Sequence, residues 1–263
     1  MNLFTSKFPA FAILIALLAI PLTLSDVRAA PILGSAWTSA PPTIDGILSL
    51  GEWNSAGSEV FTMGGRPVTI YMMNDANNLY VAVKIEDDDA LDDDLTVQFD
   101  NDNGGGTLVQ GDDSLTWWGD FLDTYFEPPT ATEQDENDGG AKDGSGAKTQ
   151  DVLMVAYYEF SHPLDSADDS HDFSLQIGST VGFELLWKDR TPEQPSSFYS
   201  WPAVTWTDAN NYGDAVIASP PARMPVGGVV APTNKLALAT PFLALAGLIV
   251  AVSAVVAVKR RRD

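Results

Sequence analysis

A period-two alternation runs through the middle of this chain and leaves little room for anything except β-structure. Between Leu79 and Glu86, the residues Leu79, Val81, Val83 and Ile85 share one face, while Lys84 and Glu86 point the other way. Leu95, Val97 and Phe99 alternate with Thr96, Gln98 and Asp100 in the same manner. Val181, Phe183, Leu185 and Trp187 repeat it against Gly182, Glu184 and Lys188. Val68 to Met73 and Val152 to Phe160 are apolar on both faces, as more central strands are. Turn clusters at 74–78, 100–106 and 165–172 separate these runs. No capped amphipathic helix of ordinary length occurs between Pro31 and Pro220. The pattern predicts an all-β chain, with a single antiparallel β-sandwich over 30–218.

Several segments fall outside that sandwich. Residues 127–150 are rich in Glu, Asp, Gly and Thr without apolar periodicity, which predicts a mobile acidic loop inside the domain. The Pro- and Gly-rich stretch 219–235 reads as an extended stalk. Residues 236–258 carry no charge and as a helix would span roughly 34 Å, enough to cross a bilayer core. Lys259, Arg260, Arg261 and Arg262 follow at once, and the positive-inside rule puts this short tail, 259–263, in the cytoplasm. At the other end, an apolar run from Phe8 to Leu24 followed by Val27, Arg28 and Ala29 predicts a signal peptide over 1–29. The expected product is a single-pass membrane protein with an extracellular domain.

Charge narrows the partners. Between residues 30 and 233 there are 34 Asp and Glu against seven Lys and Arg, a net of −27, more extreme than the −22 of the whole chain. Such a surface repels phosphate backbones and attracts cations, which argues against nucleic-acid binding. Cysteine is absent, so neither disulfides nor thiol chemistry are open to an exported domain.

Acidic residues cluster at Asp87 to Asp89, Asp92 to Asp94, Asp100 with Asp102, and Asp112 with Asp113. Calcium takes six to eight oxygens, commonly from a loop that glycine bends, and the run Asp100 to Gly104 supplies such elements. Asp100, Asp102, Asp87 and Asp89 are therefore the candidate metal ligands, although the spacing is not that of an EF-hand. Against them stands the reading of a solvated acidic turn. Among the aromatic residues, Trp187 lies on the apolar face of its strand. Trp118, Tyr199 and Trp201 stand among polar and turn residues and are candidates for a ligand cleft, since exposed rings stack on sugar faces. No carboxylate is marked as a proton donor and neither histidine adjoins a nucleophile elbow, so no catalytic residue is assigned.

Pro42-Thr43-Ile44-Asp45-Gly46 with Gly51-Glu52-Trp53, then the segments 68–71, 78–83 and 93–100, resemble family 9 carbohydrate-binding modules and their DOMON-like relatives. The resemblance runs from about Ala40 to about Ile217 and implies a β-sandwich that binds sugar or haem, often with structural calcium. The second half, 158–164, 172–175 and 181–187, is similar to the haem-binding gamma subunits of ethylbenzene-dehydrogenase-type enzymes. That branch implies haem b held by Met and Lys, with Met154, Lys188 and His162 as the residues on offer here. No lysine lies between Lys188 and Lys235, where the branch places its ligand. The tail 226–239 is similar to C-terminal anchors of archaeal surface proteins. The leading expectation is a membrane-anchored, non-catalytic module for a carbohydrate or surface glycan, with haem-linked electron transfer as the chief alternative and docking to a surface protein as a third.

Overall fold

A computed structural model describes residues 31–86, 93–128, 131–190, 196–202 and 208–222. The expected signal peptide, the apolar run 236–258, the basic tail, most of the expected stalk, and Asp87 and Asp89 lie outside the described residues. Within them, no helix is long and apolar enough to cross a membrane.

Fourteen strands form among the described residues: β1 (Ile32–Gly34), β2 (Ala36–Trp37), β3 (Gly57–Met63), β4 (Arg66–Asn74), β5 (Asn78–Glu86), β6 (Asp94–Asp100), β7 (Asp113–Trp117), β8 (Phe121–Glu127), β9 (Ala131–Gln134), β10 (Ser145–Gln150), β11 (Val155–Pro163), β12 (Thr180–Asp189), β13 (Ser197–Trp201) and β14 (Gly213–Val216). One sheet runs β1-β14-β12-β6-β7-β8-β9, with β13 also on β12. The other runs β10-β11-β5-β4-β2, with β3 also on β4. The alternating runs read from the sequence are β5, β6 and β12, and they line the interior as expected: Leu79, Val81, Val83, Ile85, Leu95, Val97, Phe99, Phe183 and Leu185 are all wholly buried. Trp187 joins them.

Three features differ from the sequence reading. The sheets are mixed, because β1 pairs with β14 and β2 with β4 in parallel. The chain enters along one sheet and crosses to the other within a few residues, a path that no periodicity announces. Strand β5 is buried on both faces, since Tyr80 and Ala82 lie under the 36–56 segment with Trp53 and Met73. The run Val152 to Phe160 starts late: Val152 and Leu153 sit exposed in the turn before β11.

The loop expected over 127–150 is instead built into both sheets. It supplies β9, a short 3-10 turn at Asp135–Asn137, and β10, which pairs with β11 along its whole length. Glycine misled the reading here. A Cβ on Gly146 would stand 2.7 Å from the Phe121 ring and 2.9 Å from Phe160, so glycine lets two core rings lie against the strand rather than loosening it. The sheets are locked across the core by Phe61 on β3 and Trp201 on β13, stacked at 3.7 Å with an 8° tilt.

Candidate functional site

The outward face of β13, β12, β6, β7, β8 and β9 forms a cleft of about 620 Å³. Period two dictates its chemistry: the strands that send Leu95, Val97, Leu115 and Leu185 inward send Asp94, Thr96, Gln98, Thr116, Thr124 and Leu186 outward. Hydroxyls cross the floor in a row, with Thr96 Oγ1 3.0 Å from Thr116 Oγ1 and Thr124 Oγ1 2.8 Å from Ser114 Oγ. Thr132 and Gln134 from β9 extend the polar lining.

Two exposed rings stand over this floor. Trp118, at the end of β7, is 61 % exposed and Phe198, on β13, is 71 % exposed. Lys188 lies between them, its Nζ 5.9 Å from the Trp118 centroid and 5.3 Å from that of Phe198. Asp94 fixes the cations: Arg190 donates through Nε at 3.0 Å and Nη2 at 2.5 Å, and Lys188 Nζ is 3.7 Å away. The Arg190 guanidinium also lies 6.0 Å from the Trp118 ring.

Of the aromatic residues singled out from the sequence, Trp118 and Tyr199 line the cleft and Trp201 does not. Trp201 is a core residue stacked on Phe61, and the Tyr199 ring turns inward against Trp187 and over Gly64. Parity along β13 explains Trp201: it shares the inward register with half-buried Tyr199, while residues 198 and 200 face out. Phe198 was missed, although strict alternation from Trp201 would have found it.

The proposed haem ligands do not meet. His162 is buried, Met154 lies in the turn at the far end of β11, roughly 26 Å away at strand rise, and Lys188 is in the outer cleft. Haem is therefore not supported by the residues present. Asp100 and Asp102 do face one another; burial first, then Asp102, raises Asp100 above the ordinary carboxylate range. Each, however, accepts a main-chain N–H from its own loop, Gly105 N at 3.0 Å and Gly104 N at 2.8 Å, and the loop closes on itself.

A second cluster lies inside the sandwich. Asp113 on β7, Asp123 on β8, His162 on β11 and Asp172 in the following loop are all buried, with one side-chain ligand atom of each within 4.8 Å of the rest. His162 Nε2 is 3.5 Å from Asp172 Oδ1, 3.6 Å from Asp123 Oδ2 and 3.9 Å from Asp113 Oδ2. Burial disfavours an imidazolium, but the surrounding carboxylates outweigh it and hold His162 at about 11. Burial pushes Asp113 well up, opposed by His162. Asp135, from the 3-10 turn, borders Asp172 and is raised to about 9, by burial first and by Asp172 second.

No protein-family model matches the chain, and no curated protein does. Among solved structures, a family 9 carbohydrate-binding module from Caldicellulosiruptor kristjanssonii in complex with glucose superposes with a TM-score of 0.51 at 14% identity, over 74% of this chain and 99% of that one. The fold resembles that of a family 9 module. The same module with cellotriose gives 0.48 at 14% identity, over 74% and 98% of the two chains. A carbohydrate-binding protein from Bacteroides uniformis, so described on a putative basis, gives 0.47 at 11% identity over 72% and 100%.

Proposed function

We propose that this protein is a non-catalytic carbohydrate-binding module, tethered to a membrane by residues 236–258 and displayed outside the cell. The observation that carries the reading is the pairing of Trp118 and Phe198 above a floor of threonine hydroxyls and glutamine amides. Apolar rings match the C–H faces of pyranoses, and the side chains of Thr96, Gln98, Thr116 and Gln134 match their hydroxyls. The family 9 fold, found in a module crystallised with glucose, is in keeping with it.

Hydrolysis is a poorer fit. Glycoside cleavage uses two carboxyl groups about 5 to 9.5 Å apart across the bond. Among the described residues lining the cleft, Asp94 is the one acid, and Arg190 and Lys188 already neutralise it. The test is a glycan array with the full chain, followed by titration of the best ligand against the Trp118→Ala and Phe198→Ala variants. Both should weaken binding at least about tenfold, the loss of one stacked ring; a glycan that binds all three proteins equally would place the site elsewhere. The tether is tested by protease treatment of intact cells, which should remove the domain, while protection would overturn the topology.

A further inference from the structure

We propose that Asp113, Asp123, His162 and Asp172 form a buried binding site for one first-row divalent cation of the Zn²⁺ or Mn²⁺ type. The site lies in the interior and is independent of the outer cleft.

The first argument is an inventory of donors. His162 Nδ1 lies 2.7 Å from the carbonyl oxygen of Pro163, an acceptor, so Nδ1 carries a proton. That leaves Nε2 as the single imidazole position facing three carboxylates. Nε2 itself, both oxygens of Asp113, both of Asp172 and Oδ1 of Asp123 have no hydrogen-bond partner, though all four residues are at most 3 % exposed. The proton on Nε2 reaches at most one of these oxygens, whereas a dication would draw an oxygen from each of the three carboxylates. The Nδ1 bond to a carbonyl is also the outer contact that orients a metal-binding imidazole and presents the Nε2 lone pair.

The second argument is shape. The separations of 3.5 and 3.9 Å from Nε2 to Asp172 Oδ1 and Asp113 Oδ2 lie near the edge of a tetrahedral site, about 3.4 Å for bonds of about 2.1 Å. Asp123 Oδ2 accepts the N–H groups of Asp143 and Gly144, at 2.8 and 3.2 Å, which orients the carboxylate and leaves its unpartnered Oδ1 for the ion, and the His162 ring rests edge-on against Phe173 at 4.5 Å. Calcium is the poorer match. It asks for six to eight oxygens, whereas the imidazole nitrogen among these carboxylates is a donor that first-row ions take and calcium does not favour.

Such an ion would join β7, β8, β11 and the loop before β12, cross-linking both sheets in a chain without cysteine. The test uses the full chain, stripped with a chelator and dialysed against Zn²⁺, Mn²⁺ or Ca²⁺, with bound metal measured by mass spectrometry. One equivalent of Zn²⁺ or Mn²⁺ should be retained, and both should displace Ca²⁺. X-ray absorption of the loaded protein should show one imidazole nitrogen among oxygen ligands. His162→Gln should weaken binding by more than the roughly 100-fold that loss of an outer-shell partner costs. Should that variant not fold, the absorption spectrum of the wild-type protein decides. No stoichiometric metal, calcium bound tighter than both other ions, or bound metal without an imidazole ligand would each overturn the proposal.

Discussion

The indole Nε1 of Trp53 donates to Glu159 Oε1 at 2.8 Å, and this bond fastens the segment around Trp53 to β11, 106 residues away. Glu159 Oε2 accepts two further N–H groups, Gly46 at 2.7 Å and Asp45 at 3.0 Å. The carboxylate is wholly buried, and these three donors stand in for water. Glu159→Ala leaves all three without an acceptor and should cost about 3 kcal/mol, read from the denaturant midpoint. Glu159→Gln keeps one oxygen and should cost less. A loss under about 0.5 kcal/mol for the alanine variant would mean the turn is not anchored there.

Stability should fall between pH 4.5 and 7. Burial raises Glu184 from 4.5 to about 7, against the pull of Tyr212 and Ser200, and raises Asp112 from 3.8 to about 6. Over this interval the folded groups keep protons that the unfolded chain has released, so folding is favoured below the unfolded values and weakens as pH rises through the folded ones. Glu184→Gln removes one such group. Its stability advantage over wild type should grow from pH 5 to pH 8 and reach up to about 3 kcal/mol. Parallel pH profiles for the two proteins would refute the assignment.

Trp118 and Trp201 should separate cleanly in mutagenesis. Trp201→Ala empties a stacked core position and should cost about 3 to 5 kcal/mol of stability. Trp118→Ala, at an exposed site, should change stability by less than about 1 kcal/mol while lowering affinity for glycans. Thermal melts and binding titrations on both variants check this, and a Trp118→Ala protein that melts far below wild type would return that ring to the core.

Asn74 ties both ends of the domain to β4. Its Oδ1 accepts from Ser35 Oγ and, at 2.9 Å, from Ala218 N, while Nδ2 donates to Ala218 O at 3.1 Å. Asn74 is wholly buried, so Asn74→Ala should cost about 2 to 3 kcal/mol. Hydrogen exchange should quicken first at 32–37 and 213–218, and unchanged exchange there would sink the idea.

Much of the frame was legible because period two is a direct image of a pleated strand. Leu79 to Ile85, Leu95 to Phe99 and Val181 to Trp187 each announced a strand and the face it buries. Strands without that signature were not: β9 and β10 are mostly polar, and the glycine of β10, Gly146, answers to rings at Phe121 and Phe160 that are distant in sequence. At the cleft, Trp118 was legible as an aromatic residue among polar neighbours. Tyr199 borders the cleft as expected, but Trp201 lies in the core, because polar neighbours do not tell which face a strand residue takes and a one-residue shift of register exchanges inside for outside.

The sequence by itself determined that this chain folds as β-structure, that its domain is strongly acidic, and that it must hold together without disulfides. These follow from local alternation and composition, which need no partner to be read. Tertiary structure alone decided which carboxylates meet. Asp113, Asp123, His162 and Asp172 come from three strands and a loop across 60 residues, with no spacing to mark them, because sheet pairing rather than chain order brings one side-chain atom of each within 4.8 Å of the others.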